Sequence, residues 1–320
     1  MKEAGPSSRP MRPVLRPPAE LDKASAMIET FRTLTVRDGA TIAYRILRGA
    51  APRRLLVLIH GMASNMTRWS EFVEQTSLKG SWDLLRIDLR GNGRSIFRGR
   101  ITLEAWCGDI SSILDAEGYS RAVLAGHCLG ANIALQFAVR YPDRTEGLVL
   151  IEPLFPRSFT GVLKRIQPFL FLVPSAAALI RLMNRIGVYR RHLPHLDLRE
   201  LDRKTRAIMA AQSSSDALVK KYASLCFDLR FLPITAYLQS LRELSRPLPR
   251  LADIDAPVLL MFSTGKVFSD PAIARELCQV LENCRTVMID SHHWIPTENP
   301  VEMRTSIEEW CEDLERRKNI

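Results

Sequence analysis

Short, largely apolar runs recur along the chain, and each stops at a small, polar or charged residue. Residues 55–59 end in His60-Gly61, 84–87 in Asp88, 122–125 in Gly126 and 148–151 in Glu152. Residues 258–262 end in Ser263-Thr264-Gly265 and 286–289 in Asp290. Runs of this length without alternation suit strands buried on both faces of a parallel sheet. Ahead of them, 32–36 and 41–47 flank Asp38-Gly39, a hairpin signal. Between the runs the period becomes helical. Leu103, Trp106, Ile110, Ile113 and Leu114 share one face of 102–117. Residues 129–141 are stopped by Pro142, while 271–281 and 300–316 each begin with proline. Strand and helix in alternation predict an α/β fold with a mostly parallel, doubly wound sheet.

This rhythm breaks between residues 153 and 250, which read as several helices with few strands. The predicted organisation is a Pro-rich disordered arm over 1–30, a core built from 31–152 and 251–320, and a helical cap, 153–250, inserted after the sixth strand. The most apolar stretch, 168–180, is interrupted by Pro174 and is shorter than the ~20 residues of a bilayer span, so no transmembrane segment is expected.

With 46% hydrophobic and 25% charged residues in a chain of 320, the composition is globular and excludes a disordered chain, a collagen-like repeat and a small disulfide scaffold. The six cysteines, at 107, 128, 226, 278, 284 and 311, form no CxxC pair and no zinc spacing. The expectation is therefore free thiols, a reducing cytoplasmic location, no metal and no other cofactor.

The chemistry concentrates at Ala125-Gly126-His127-Cys128-Leu129-Gly130, between a predicted strand and a predicted helix. A nucleophile elbow needs this setting, in which a sharp turn lifts one side chain into a strained, accessible position between small residues. The helix that follows aims its N-terminus at that side chain, which favours an anion, including a thiolate.

With this segment the sequence resembles the α/β-hydrolase superfamily over roughly residues 31–316. His60-Gly61-Met62 is similar to that family's oxyanion loop, and Asp88-Leu89-Arg90-Gly91-Asn92-Gly93-Arg94-Ser95 to its structural D-x-R-G-x-G-x-S turn. His293, followed by Trp294, Pro296, Glu298, Asn299 and Pro300, resembles the late segment bearing the catalytic histidine, with His292 where glycine is usual. The departure is Cys128, where the commonest elbow has serine. Cysteine elbows occur in dienelactone hydrolases and polyhydroxyalkanoate synthases.

The resemblance implies Cys128 as nucleophile, His293 as general base, and the backbone N–H groups of Met62 and Leu129 as the oxyanion hole. It leaves two candidates for the orienting acid. The family position three residues after Gly265 is Phe268, so the nearer options are Glu152, after the strand 148–151, and Asp270, which also fits a helix N-cap before Pro271. Glu152 is preferred, with Asp270 as the alternative. His60 and His127 are expected to bond within their loops, and His192 and His195 to lie at the surface.

The implied activity is acyl transfer through an acyl-cysteine, as a thioesterase, esterase or acyltransferase. The alternative is a non-catalytic member that binds a ligand or partner. The formal net charge of +10 resides chiefly in 153–250, which carries 17 Lys+Arg against 6 Asp+Glu, whereas 251–320 carries 7 against 13. A basic, apolar cap suggests an acyl chain on an anionic carrier, coenzyme A or an acidic acyl carrier protein. No nucleic-acid recognition motif is present.

Overall fold

A computed structural model describes residues 28–49, 54–211, 224–247 and 249–318. Most of the expected arm, 1–27, lies outside the described residues. Its predicted last residues, Glu29 and Thr30, instead open the first strand, β1 (Glu29–Thr35), where the Glu29 carboxylate is held by Arg45 of the adjacent strand at 3.4 Å and by Arg86, one strand further on, at 2.5 Å.

Eight strands form one sheet in the order β1-β2-β4-β3-β5-β6-β7-β8, with β2 (Thr41–Leu47), β3 (Arg54–Ile59), β4 (Trp82–Ile87), β5 (Ala122–His127), β6 (Thr145–Ile151), β7 (Val258–Ser263) and β8 (Cys284–Ile289). The β1–β2 and β2–β4 pairs are antiparallel and the others parallel. Alternate residues of the apolar strands serve opposite faces. Val57, Ile59, Leu124 and Leu150 pack with Trp106, Ile110 and Phe137 on one side. Leu56, Leu58, Val123, Val149 and Met261 pack with Trp69, Phe72 and Trp310 on the other. These two cores explain why the strands read as continuous apolar runs.

The helices of the core are α1 (Ser70–Gln75), α2 (Leu103–Glu117) and α3 (Leu129–Arg140). Between β6 and β7 the described residues form α4 (Gly161–Ile166), a 3-10 stretch Gln167–Leu172, α5 (Val173–Arg185), α6 (Leu198–Ala211), α7 (Leu225–Asp228) and α8 (Ile234–Leu244). After β7 come α9 (Pro271–Leu277), α10 (Ile295–Glu298) and α11 (Pro300–Lys318). The inserted helices are tied to the core by charge: Arg68 pairs with Asp202 of α6 at 2.5 Å, both buried, and Arg246 bridges Glu243 and Glu104.

Pro174 does not break the apolar stretch. It sits in the first turn of α5, where no intrahelical N–H bond is needed, so helix runs on from Gly161 to Arg185. That run of 25 residues is long and apolar enough to cross a bilayer by composition, unlike the shorter segment expected.

The strand order reverses between β3 and β5, and Ile59 pairs with Gly126, His127 with Ile151, and Ile151 with Met261. The C-terminal ends of β3, β5, β6 and β7 therefore meet along one edge. Such a crevice is where open α/β sheets bind their ligands.

Candidate active site

At that edge β5 turns sharply into α3 through Cys128, whose backbone is held at φ 55°, ψ −116°. The turn works only with glycine on either side. A methyl group on Gly126 would strike the Gly130 carbonyl, and one on Gly130 would strike the carbonyls of Ile59 and His60. Cys128 itself is buried but lines a cavity of about 470 Å³.

Glu152 follows β6 with a positive φ of 51°. Its N–H donates to the Met261 carbonyl at 2.8 Å, which leaves the side chain curled under the end of β7. There Oε1 accepts the backbone N–H of Ser263 at 2.5 Å, and Oε2 lies 2.9 Å from His293 Nδ1. Both partners are almost fully buried. With Nδ1–H donating to the carboxylate, the other ring nitrogen is left for the Cys128 side chain, which lines the same cavity. Burial alone pulls the imidazole down, but the bonds and charges of Cys128 and Glu152 outweigh it and raise His293 to about 10.

The structure thus brings Cys128, His293 and Glu152 together. Asp270 is placed elsewhere. It caps α9 by accepting the Ala272 N–H at 3.0 Å, pairs with Lys266 at 2.8 Å, and its carboxyl is held below the usual range by that lysine.

The loop after β3 adjoins the turn: a Cβ on Gly61 would lie 3.2 Å from that of Cys128. Met62 and Leu129 have backbone N–H groups without hydrogen-bond partners among the described residues. His60 steadies the loop, accepting the Leu89 N–H at Nε2 (3.0 Å) and donating Nδ1–H to the Gly61 carbonyl (2.7 Å). Burial pushes its pKa to about 4, so it is neutral. Asp88 holds the following turns by accepting N–H groups from Met66 and Arg94, at 2.6 and 2.8 Å.

Three supports of His293 escape the sequence reading. His127 reaches out of its own turn and donates Nε2–H to the His293 carbonyl at 3.0 Å, and burial keeps it neutral. Glu298 accepts the backbone N–H groups of His292, His293 and Trp294 at 2.9–3.2 Å, and the His292 ring at 2.8 Å. Phe268 stacks edge-on against His293, with centroids 4.9 Å apart. A sequence signal exists only for Glu298, whose position shortly after the histidine and before Asn299-Pro300 suits a turn-capping acid. His292 points outward and His192 and His195 are exposed.

Beyond Cys128 the cavity wall is mostly apolar, built by Leu163, Ile166, Leu170 and Val173 from the inserted helices and Leu241 of α8. One acid interrupts it. Asp228 lines the cavity, and burial raises its carboxyl to about 7 against the opposing influence of Arg68. Among the described residues no cluster of His, Cys, Asp and Glu suited to a metal ion occurs.

The sheet, its helices and this strand-to-helix turn define an α/β-hydrolase. Within that class the chain belongs to the Hydrolase_4 family, described as serine aminopeptidase S33, whose profile matches residues 50–294. Human epoxide hydrolase 4 is 30% identical over 165 residues, 50% of this chain and 44% of that protein. The chain thus spans less than half the length of that relative. Epoxide hydrolase 3 of Xenopus tropicalis is 25% identical across 88% of this chain and 77% of its own. An enol-lactonase from Burkholderia xenovorans shares the fold with a TM-score of 0.61 at 19% identity, covering 88% of this chain and 99% of its own.

Proposed function

We propose that the protein is a cysteine-dependent acyl-transfer hydrolase that works through an acyl-Cys128 intermediate on an acyl ester or thioester. The observation that carries this reading is the buried His293–Glu152 hydrogen bond beside the Cys128 side chain, at a turn that opens into an apolar cavity. His293 takes the thiol proton and the sulfur attacks the substrate carbonyl carbon. The carbonyl π pair moves onto oxygen, and the N–H groups of Met62 and Leu129 hold that oxyanion. Collapse breaks the bond to the leaving thiol or alcohol, which receives the proton from His293. Water then gives a proton to His293 and attacks the acyl-cysteine, and the second collapse returns free acid and thiol. An alcohol or amine in place of water yields an ester or amide.

Glu152 fixes the imidazole tautomer and balances its positive charge. The apolar lining favours a hydrocarbon acyl group over a peptide, whose amides would be left without partners there. The basic insertion supports coenzyme A or an acidic acyl carrier protein as the carrier.

Intact-mass measurement after mixing with a panel of acyl thioesters and nitrophenyl esters tests this. A mass gain equal to one acyl group is expected, mapping to Cys128, and Cys128→Ala should lose both the adduct and turnover by at least ~10³-fold. Ordinary turnover by a folded Cys128→Ala protein excludes the mechanism and leaves a binding role for the cavity.

A further inference from the structure

Among the inserted helices, α5 buries one face and leaves the opposite face apolar as well. In α5 the inward positions are Val173 and Ala177, followed by the half-buried Ile180, Arg181 and Asn184 at helical spacing. Arg181 is satisfied there by Gln239 of α8 at 3.1 Å. A solvent-facing side opposite such a stripe is ordinarily polar. Here it carries Leu179, Leu182 and Ile186, exposed to 61%, 56% and 72%, and the preceding turn adds Phe171 at 73%. Only 11% of the most apolar window of the Gly161–Arg185 run is buried. Exposed apolar surface of this extent on one element marks an interaction site.

The charge around this face says what it meets. From residue 153 to residue 196 the chain contains seven Lys+Arg and no Asp or Glu. Lys164, Arg165, Arg185, Arg190 and Arg191 are all exposed. An apolar face on a segment whose charged residues are all cationic matches a bilayer containing anionic lipid, where leucine and phenylalanine enter the acyl boundary and the cations meet phosphate. An acidic protein would satisfy the cations but not the apolar residues between them.

The same segment is also a wall of the cavity. Val162 and Phe169 line it while remaining exposed to solvent, and Leu163, Ile166, Leu170 and Val173 line it from within. Crossing the bilayer would pull these four residues out of the cavity, so the run lies on the membrane and does not span it.

We propose that the face formed by α4, α5 and the residues following to Tyr189 docks the protein on an anionic lipid bilayer, and that amphiphilic acyl substrates enter the cavity past Val162 and Phe169. The docking step does not depend on the identity of the nucleophile.

Vesicle flotation of the full chain tests this. Vesicles of phosphatidylcholine with phosphatidylglycerol should carry the protein, phosphatidylcholine alone should carry less, and salt should weaken the binding. The double substitution Phe171→Asp, Leu179→Asp removes two exposed side chains that touch no catalytic group, and should lower partitioning by roughly tenfold or more with an unchanged thermal melt. Arg185→Glu with Arg191→Glu should abolish the preference for phosphatidylglycerol. Cys128→Ala should float like the unsubstituted chain, which separates failure of docking from failure of the acyl-cysteine mechanism. The proposal is overturned if the chain floats with neither vesicle, or if the double substitution leaves flotation unchanged. It is also overturned if sedimentation shows a dimer that the double substitution converts to monomer without any vesicle binding, since the face would then join two copies of the chain.

Discussion

Glu152 occupies a backbone conformation that L residues adopt at a cost of order 1–3 kcal/mol, and it does so where its carboxylate must turn toward His293. The strand end at 148–151 made this acid legible in the sequence. Its rival, Asp270, sits where a helix start before Pro271 already gave an adequate explanation, and the structure finds it capping that helix. Glu152→Gln should keep the fold and lower kcat by about 10³–10⁴-fold, because the amide no longer fixes the tautomer or offsets the imidazolium. Asp270→Ala should leave kcat within about twofold and lower stability by ~1 kcal/mol through the lost cap. Steady-state kinetics and urea melts on the two variants check both outcomes, and a reversed pattern would move the acid to Asp270. The pH behaviour follows from His293, raised to about 10 in the folded chain. A histidine raised on folding adds stability that is full below its unfolded pKa, about 6.5, and disappears as pH climbs through 10. Within that window the imidazolium places a positive charge beside Cys128. Iodoacetamide labelling of Cys128 should therefore be faster than in His293→Ala between about pH 6 and 9, with the difference closing as pH climbs through the His293 value of about 10. Equal rates in both proteins would show that no such charge acts on Cys128.

Elements with a single demand were readable, and elements with two demands were not. The central strands had only to be apolar on both faces, so β3, β4, β5 and β6 hold their apolar runs and extend by one to three residues past them, into Arg54, Trp82, His127 and Thr145. The turn into α3 was legible because two glycines bracket one cysteine. Contrasting substitutions show how local that requirement is. Gly130→Ala should cost at least ~2 kcal/mol, since the new methyl meets two carbonyls that belong to β3 and its loop. Gly108→Ala, inside α2 with nothing within 4 Å of the new carbon, should stabilise by about 0.5–1 kcal/mol. Opposite shifts of the urea midpoint are the expected result, and equal shifts would show that helix propensity, not close approach, governs Gly130. The inserted helices defeat the same kind of reading. The outward residues of α5 are as apolar as its inward ones, so the pattern has no polar side by which to orient it, and Pro174 in a first turn reads as a break. His127 was missed for another reason: its partner is a backbone carbonyl 166 residues away, which no local spacing encodes.

On the scale of the whole molecule, charge is divided rather than spread. Residues 153–250 carry 17 Lys+Arg and 6 Asp+Glu, while 251–320 carry 7 and 13, so the insertion that covers the cavity is positive and the C-terminal part of the core negative. Under the proposed function, a field of this shape would raise the local concentration of an anionic carrier near the cavity and fall off over a Debye length of ~10 Å at 0.1 M salt. It would act on the carrier, not on the acyl group in the apolar cavity. Two substrates with the same acyl chain therefore separate the contributions, one a coenzyme A thioester and the other an uncharged nitrophenyl ester. Raising ionic strength should increase KM for the thioester by about threefold or more and leave KM for the neutral ester nearly constant, with kcat unchanged for both. The comparison is made without vesicles, so that the carrier is the only anion present besides the salt. A KM that rises in parallel for both esters would mean that salt perturbs the apolar cavity itself. A KM flat for both would leave the cationic face free of any part in substrate capture, with the bilayer as the anion it is built to meet.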